Sequence, residues 1–463
     1  MQGKNRIERN ETKTPVSFQK QVWGLAFPIS LQAMLQSSFG IVDQLMIGKL
    51  GSDSIAAIGL AGKFASIYAV VLNAVAAAAG IMMAQYIGQK DEPEVGRSFF
   101  LNLMAAAAVA VWFGVMSLCM PEQIMGLYTK DQEVRHIAAG YLRIVAISYV
   151  PMAVSVLLST LLRCRNAAVF PMYASIGAVL CNTLLNYLLI FGKGGLPVLG
   201  VTGAALATVV AQMVLCVLML VCFWGYSRRK SSRLIFSLHL TARNRKQYLG
   251  ILCPIFLCEL FWSLGENVYT AIYGNMGTDA CAAMTLTIPI QTLVMGALSG
   301  LGQAAGILIG KWLGKDEETQ AYQASRRLMR YGMYGAVLFS VLLLVLGKFY
   351  TGWYPVSGQI RDTAFWILAA FGVIMPVKVQ NMILGGGILR SGGKTGYIMW
   401  IDFIGTWLVG VPLGWIAAFV WKLPIFWVYF LLSLEECVRY GISMMLFRRK
   451  SWMKRLDGTE KKE

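Results

Sequence analysis

The sequence predicts an all-α polytopic membrane protein, with about twelve transmembrane helices in two six-helix bundles related by a pseudo-two-fold axis along the membrane normal. Three observations predict it. Apolar runs of spanning length recur along nearly the whole chain, basic residues gather in alternate breaks between them, and the second half repeats the first. Hydrophobic residues fill 57% of the 463 positions and charged residues only 14%, for a mean hydropathy of +0.59. A soluble domain is about 25% charged, so this chain lacks the polar surface to face water on all sides.

A spanning helix needs about 20 mostly apolar residues. Such runs fall at about 22–48, 54–86, 98–119, 134–161, 170–191, 199–225, 248–274, 280–310, 326–347, 362–388, 397–420 and 424–447. Pro and Gly interrupt several of them, which membrane helices tolerate where neighbours or water satisfy the freed backbone groups. The net charge of +18 is distributed for topology rather than for nucleic acid. The break between the sixth and seventh runs holds Arg228, Arg229, Lys230, Arg233, Arg243, Arg245 and Lys246, and both tails are basic. About three quarters of the 41 Lys and Arg sort to this side of the membrane, the pattern of cytoplasmic loops.

Both termini are therefore expected to be cytoplasmic, in a multi-pass protein of the cell membrane. The polar N-terminus shows no removable signal peptide. The expected division is a cytoplasmic tail at 1–20, an N-terminal bundle at 21–226, a basic cytoplasmic linker at 227–247, a C-terminal bundle at 248–447 and a basic tail at 448–463.

Residues 28–92 lie over 254–318 at a constant offset of 226 without a gap. Pro28 and Ile29 meet Pro254 and Ile255; Gly48, Gly51 and Asp53 meet Gly274, Gly277 and Asp279; Gly88 meets Gly314. About eighteen of 65 positions are identical, several of them Gly or Pro, which shared apolar bias would not place in register. A weaker echo pairs Pro151 with Pro376 and Arg165 with Arg390. Six helices per half is an even number, so the halves enter the membrane in the same sense. Parallel repeats of this kind build secondary transporters, whose substrate site lies near mid-membrane between the halves.

Ionisable groups inside a membrane helix cost roughly 2.5–3.5 kcal/mol on the insertion scale and are functional candidates by default. At about 100° per residue, Gln32, Gln36 and Asp43 share one face of the first helix, and the Asp43 carboxylate is the chief candidate for exchanging a cation. Glu259 and Glu266 share a face of the seventh helix, which suits a cationic substrate or a second coupling ion. Lys378 in the tenth is expected to pair with Glu259, Glu266 or Asp402, or to receive an anionic group; Lys63 in the second is a snorkelling or functional cation. Asp402 on the eleventh helix joins Gln32, Gln36, Glu259, Glu266 and Lys378 as a candidate for the substrate or second coupling site, and Glu435, Glu436 and Arg439 on the twelfth read as a structural ion-pair cluster.

The run VDQLMIGKLG followed by IAAIGLAG, the segment NTLLNYLLIFGKGGLPVLGVTGAALATVVAQ, and LRSGGKT together resemble the multidrug and toxic compound extrusion (MATE) family. The run ELFWSLGENVYTAIYGNMGTDACAAM resembles its branch common in anaerobic Gram-positive bacteria. The resemblance implies a cation-coupled antiporter in which H⁺ or Na⁺ enters as substrate leaves, with Asp43 as the coupling residue of the N-terminal half. It further implies Asn182 and Asn186 beside Asp43, with Thr202 as another oxygen. Where some members carry an Asp, Asn186 cannot titrate, so a Na⁺ at Asp43 would find a weaker cage and a proton needs only Asp43.

The sequence thus leads to a monomeric secondary active transporter exporting amphipathic, cationic organic compounds by alternating access, in contact with membrane lipid. The alternative is an exporter or flippase of an anionic or lipid-linked metabolite. A membrane receptor or membrane-embedded enzyme ranks lower. His136 and His239 fall in predicted loops, CxxC and HExxH are absent, and there is no GxxxxGK[ST] phosphate loop, so neither an enzyme, a cofactor nor a nucleic-acid partner is expected.

Overall fold

The computed structural model describes residues 17–195, 197–230, 242–354 and 356–456, apart from a few side chains within helices, Asp43 among them. The described residues form helices joined by short turns. The N-terminal half comprises α1 (Phe18–Ile47), α2 (Ser52–Gln89), α3 (Glu92–Cys119), the short α4 (Pro121–Gly126), α5 (Gln132–Ala146), α6 (Tyr149–Cys164), α7 (Val169–Phe191) and α8 (Gly200–Lys230). The C-terminal half comprises α9 (Ala242–Gly274), α10 (Thr278–Gly314), α11 (Glu318–Gly352), α12 (Gly358–Ile383), α13 (Thr395–Phe403), α14 (Val411–Trp415), α15 (Ile425–Ser433) and α16 (Glu435–Arg448).

Among the described residues nine helices are long and apolar enough to cross a membrane, and the α5–α6 pair, bent by 49°, makes a tenth. With α1 and the pair α15–α16, they form the twelve spans of the two-bundle fold. The α5–α6 break falls at Ile147–Ser148, just before Pro151, whose missing N–H leaves the Ile147 carbonyl without its helical donor. Two longer spans contain π-helical turns: Leu384–Leu389 after α12, and Ile404–Gly410 and Ile416–Val420 on either side of α14.

The repeat is visible in the backbone. Gly51 and Gly277, equivalent at the offset of 226, both take positive φ, 98° and 116°, immediately before α2 and α10. A side chain at either would strain that turn. The outer faces are apolar: along α11, Val337, Leu338, Val341, Val345 and Phe349 are exposed, as suits a lipid solvent.

The halves meet mainly along α1 and α10, with α2 packed on α9 and α10. These contacts lie toward the end of the molecule where α2 and α10 finish and α9 begins, called here the basic face. A Cβ at Gly300 would meet the Ala26 carbonyl oxygen at 2.1 Å. One at Gly88 would meet the Lys311 oxygen at 2.2 Å, and one at Gly314 the Gln85 oxygen at 2.1 Å. Gly88 and Gly314 are repeat equivalents, and so are Gln85 and Lys311, so each half clasps the other in the same way. Toward the opposite face the helices part. Between Ser52 and Lys63 of α2 only Ala57 and Ala61 are buried, whereas Ile81 through Tyr86 all are.

Candidate functional site

A cavity of about 550 Å³ lies between the halves above this closure. From the N-terminal half it is lined by Gln32 and Gln36 of α1, Asn73 and Gly80 of α2, Ser155, Ser159, Thr160 and Arg163 of α6, and Ser175 of α7. From the other half come Gly302, Gln303 and Gly306 of α10 with Gly386, Gly387 and Arg390. Small residues let the walls approach: a Cβ at Gly387 would meet the Gly302 oxygen at 2.4 Å, close packing that glycine permits between membrane helices. The π-helical turn at Leu384–Leu389 brings Gly386 and Gly387 to this wall, and such turns recur at functional sites.

The centre of the cavity wall is Arg163. It donates from Nη2 to Gln32 Oε1 at 2.8 Å and from Nη1 to Gln303 Oε1 at 2.7 Å, so one guanidinium joins both halves. Gln32 in turn donates to Ser175 Oγ at 2.6 Å. Arg163 makes no ion pair among the described residues, and no Asp or Glu occurs among the cavity's described lining. Sequence reading named Gln32 and Gln36 and missed Arg163, which lies two residues beyond the apolar run read at 134–161 and so passes for a loop cation, whereas α6 continues to Cys164.

Behind the cavity, the C-terminal half holds a buried charge network. Arg390 reaches Glu259 at 3.0 Å and Asp402 at 3.8 Å, and lies 3.0 Å from Cys258 Sγ, whose thiol donates to Asp402 Oδ2 at 2.6 Å. Arg439 pairs with Asp402, with Glu435 at 3.9 Å and with Glu436 at 3.7 Å. Lys378 pairs with Glu436 at 3.8 Å. Asn381 donates to Glu436 Oε2 at 2.8 Å, and Tyr269 donates to Glu435. Ion pairing of Glu435, Glu436 and Arg439 agrees with the sequence reading.

Three expectations change. Lys378 meets Glu436 of the last span rather than Glu259, Glu266 or Asp402, because α12 packs on α16. Glu259 is neutralised by Arg390 and does not stand as a free carboxylate with Glu266, which is exposed two turns further along α9. Asp402 is held between two arginines, leaving it little capacity to receive a substrate cation.

In the N-terminal half, Asn186 is buried and donates to Asn182 Oδ1 at 3.2 Å. Thr202 is exposed at the start of α8. Asp43 belongs to α1, but its side chain lies outside the described residues. Lys63 is exposed and is absent from the cavity wall.

The MatE family model matches residues 28–188 and 254–416, two segments whose starts are separated by the repeat offset. Over 453 residues the chain is 24% identical to the uncharacterized transporter YisQ of Bacillus subtilis, covering 96% of this chain and 97% of that protein. It is 25% identical over 411 residues to the multidrug resistance protein NorM of Burkholderia vietnamiensis, covering 85% and 86%. Its fold superposes on the crystal structure of a MATE in complex with MaL6 with a TM-score of 0.86, at 16% identity over 95% of this chain and 98% of the other.

Proposed function

The chain belongs to the MATE family of membrane transporters, and on that premise we propose that it exports amphipathic organic compounds by cation-coupled antiport. The observation that carries the reading is a central cavity built from both halves, closed toward the basic face by the paired glycine contacts and flanked by parted helices toward the other. Rocking of the halves about such a cleft exchanges the accessible side, as in transporters built on parallel repeats. The basic face is the cytoplasmic one, with both termini and the linker inside, since retained Lys and Arg mark that side. A single chain supplies both halves and suffices as the working unit.

Asp43 is the coupling residue in this scheme. It falls on the helical face of α1 that carries Gln32 and Gln36, and Asn182 and Asn186 provide neutral oxygens in the same half. An acid in low dielectric exchanges a proton near neutral pH more readily than an exposed one, and a neutral amide pair favours H⁺ over Na⁺. Glu266 is the remaining candidate acid of this half for a second ion or for the substrate path, since Glu259, Asp402, Glu435 and Glu436 are paired.

The test is efflux from proteoliposomes of rhodamine 6G, a cation, and carboxyfluorescein, an anion, driven separately by imposed ΔpH and by a Na⁺ gradient. Drive by ΔpH, with Asp43→Asn slowing it by about tenfold or more while dye binding persists, supports proton antiport through Asp43. Drive by Na⁺ alone would transfer the coupling role to a Na⁺ site completed by the asparagines. No gradient-driven movement of either dye in folded protein would overturn the transporter reading.

A further inference from the structure

Resting on that reading, we infer that the central cavity binds the anionic group of its substrate, a carboxylate, phosphate or sulfonate, through the Arg163 guanidinium. Arg163 presents five N–H donors in a planar fork that cannot be deprotonated in proteins. Two of them go to neutral glutamine oxygens, and Nε is buried without a hydrogen-bond partner. A half-buried cation without a counter-charge is costly, and the neighbouring arginine shows what satisfaction looks like: Arg390 has Glu259 and Asp402. The described lining of the cavity contains no carboxylate, so the Arg163 charge is left unbalanced there and favours an anion.

The apolar part of the wall, with Ile29, Ile81, Leu215 and Ile307, suits the organic body of such a molecule. The volume of about 550 Å³ lies within the range of small-molecule sites. Gln303 is the group an arriving anion displaces. Its oxygen occupies Arg163 Nη1 from the opposite half, so exchanging it for a substrate oxygen removes one tie between the halves. Substrate recognition and loosening of the interface then occur at the same atom.

Binding is measured by fluorescence anisotropy of carboxyfluorescein and rhodamine 6G on purified protein in uncharged detergent, with wild type, Arg163→Gln, Arg163→Lys and Gln303→Glu. The expected result is tighter binding of carboxyfluorescein, a loss of tenfold or more in Arg163→Gln, and partial recovery in Arg163→Lys. Gln303→Glu places a tethered carboxylate on Arg163; it should raise thermal stability yet abolish anion binding, which separates loss of the site from loss of the fold. Unchanged carboxyfluorescein affinity in Arg163→Gln, or binding of rhodamine 6G alone, would overturn the anion site while leaving the transporter reading intact if rhodamine is still moved by a gradient. The source of the anion is read from competition. Displacement of carboxyfluorescein by phosphatidylglycerol but not by soluble organic phosphates assigns the site to a lipid headgroup, and the reverse assigns it to a soluble anion; either supports the anion site.

Discussion

At the scale of residues, the cations at and behind the cavity are satisfied in opposite ways in the two halves. The C-terminal half surrounds Arg390, Arg439 and Lys378 with Glu259, Asp402, Glu435 and Glu436. In the N-terminal half Arg163 faces glutamines. Breaking a buried ion pair by removing one partner leaves an uncompensated charge and costs about 3–5 kcal/mol. Arg439→Met removes the cation shared by three carboxylates and should destabilise the C-terminal half by about that amount, read as a lower Tm in detergent. A near-neutral Tm would mean that water already solvates the cluster. The sequence disclosed the acids of this network with Lys378 and Arg439, since each interrupts an apolar run, and Arg390 only as a repeat match, but not their pairing. Lys378 had three plausible partners by helix position and takes a fourth, Glu436, because partner choice depends on which helices are adjacent.

At the scale of elements, Gly88 and Gly314 set how closely α2 and α10 approach at the basic face. The repeat alignment had flagged both as matched glycines without saying what they touch. Valine at Gly314 would drive a side chain into the Gln85 carbonyl, and overpacking of this kind costs about 1–3 kcal/mol. Because the cost falls only on the closed arrangement, Gly314→Val should populate the arrangement open at this face by about tenfold or more. Distances between spin labels across the basic face, measured in nanodiscs, would lengthen; an unchanged distribution would refute the clasp as the closing contact. The same scale shows what periodicity hides. A π-turn such as Leu384–Leu389 adds no change of hydrophobicity, and the α5–α6 break lies within one continuous apolar run.

Over the whole molecule, the segment after α16 returns to bind both halves. Trp452 is buried, and its carbonyl lies where a Cβ at Gly392 would collide at 1.7 Å. Leu456 N donates to Gln85 Oε1 at 2.8 Å, Gln89 Nε2 donates to the Leu456 oxygen at 2.9 Å, and Gln85 Nε2 donates to the Lys454 oxygen at 3.1 Å. A C-terminal segment thus ties α2 of the opposite half at the closed face. Truncation after Ser451 removes several net hydrogen bonds of about 1 kcal/mol each together with a buried indole. Alkylation of Cys164, which lines the cavity, by an impermeant maleimide from the basic face should then accelerate by about tenfold in a background lacking the other cysteines. An unchanged rate would show the segment to be a passenger on the closure.

The sequence by itself determined the solvent, the number of spans, the duplication and the family, because hydropathy and in-register glycines are local properties that survive without knowledge of contacts. Tertiary structure alone decided that Arg163 stands between Gln32 and Gln303, that Asp402 is shared by two arginines, and that the tail reaches Gln85. Each of these depends on residues brought together from more than a hundred positions apart or from different helices, and their chemistry is set by what lies opposite rather than by what lies next in the chain.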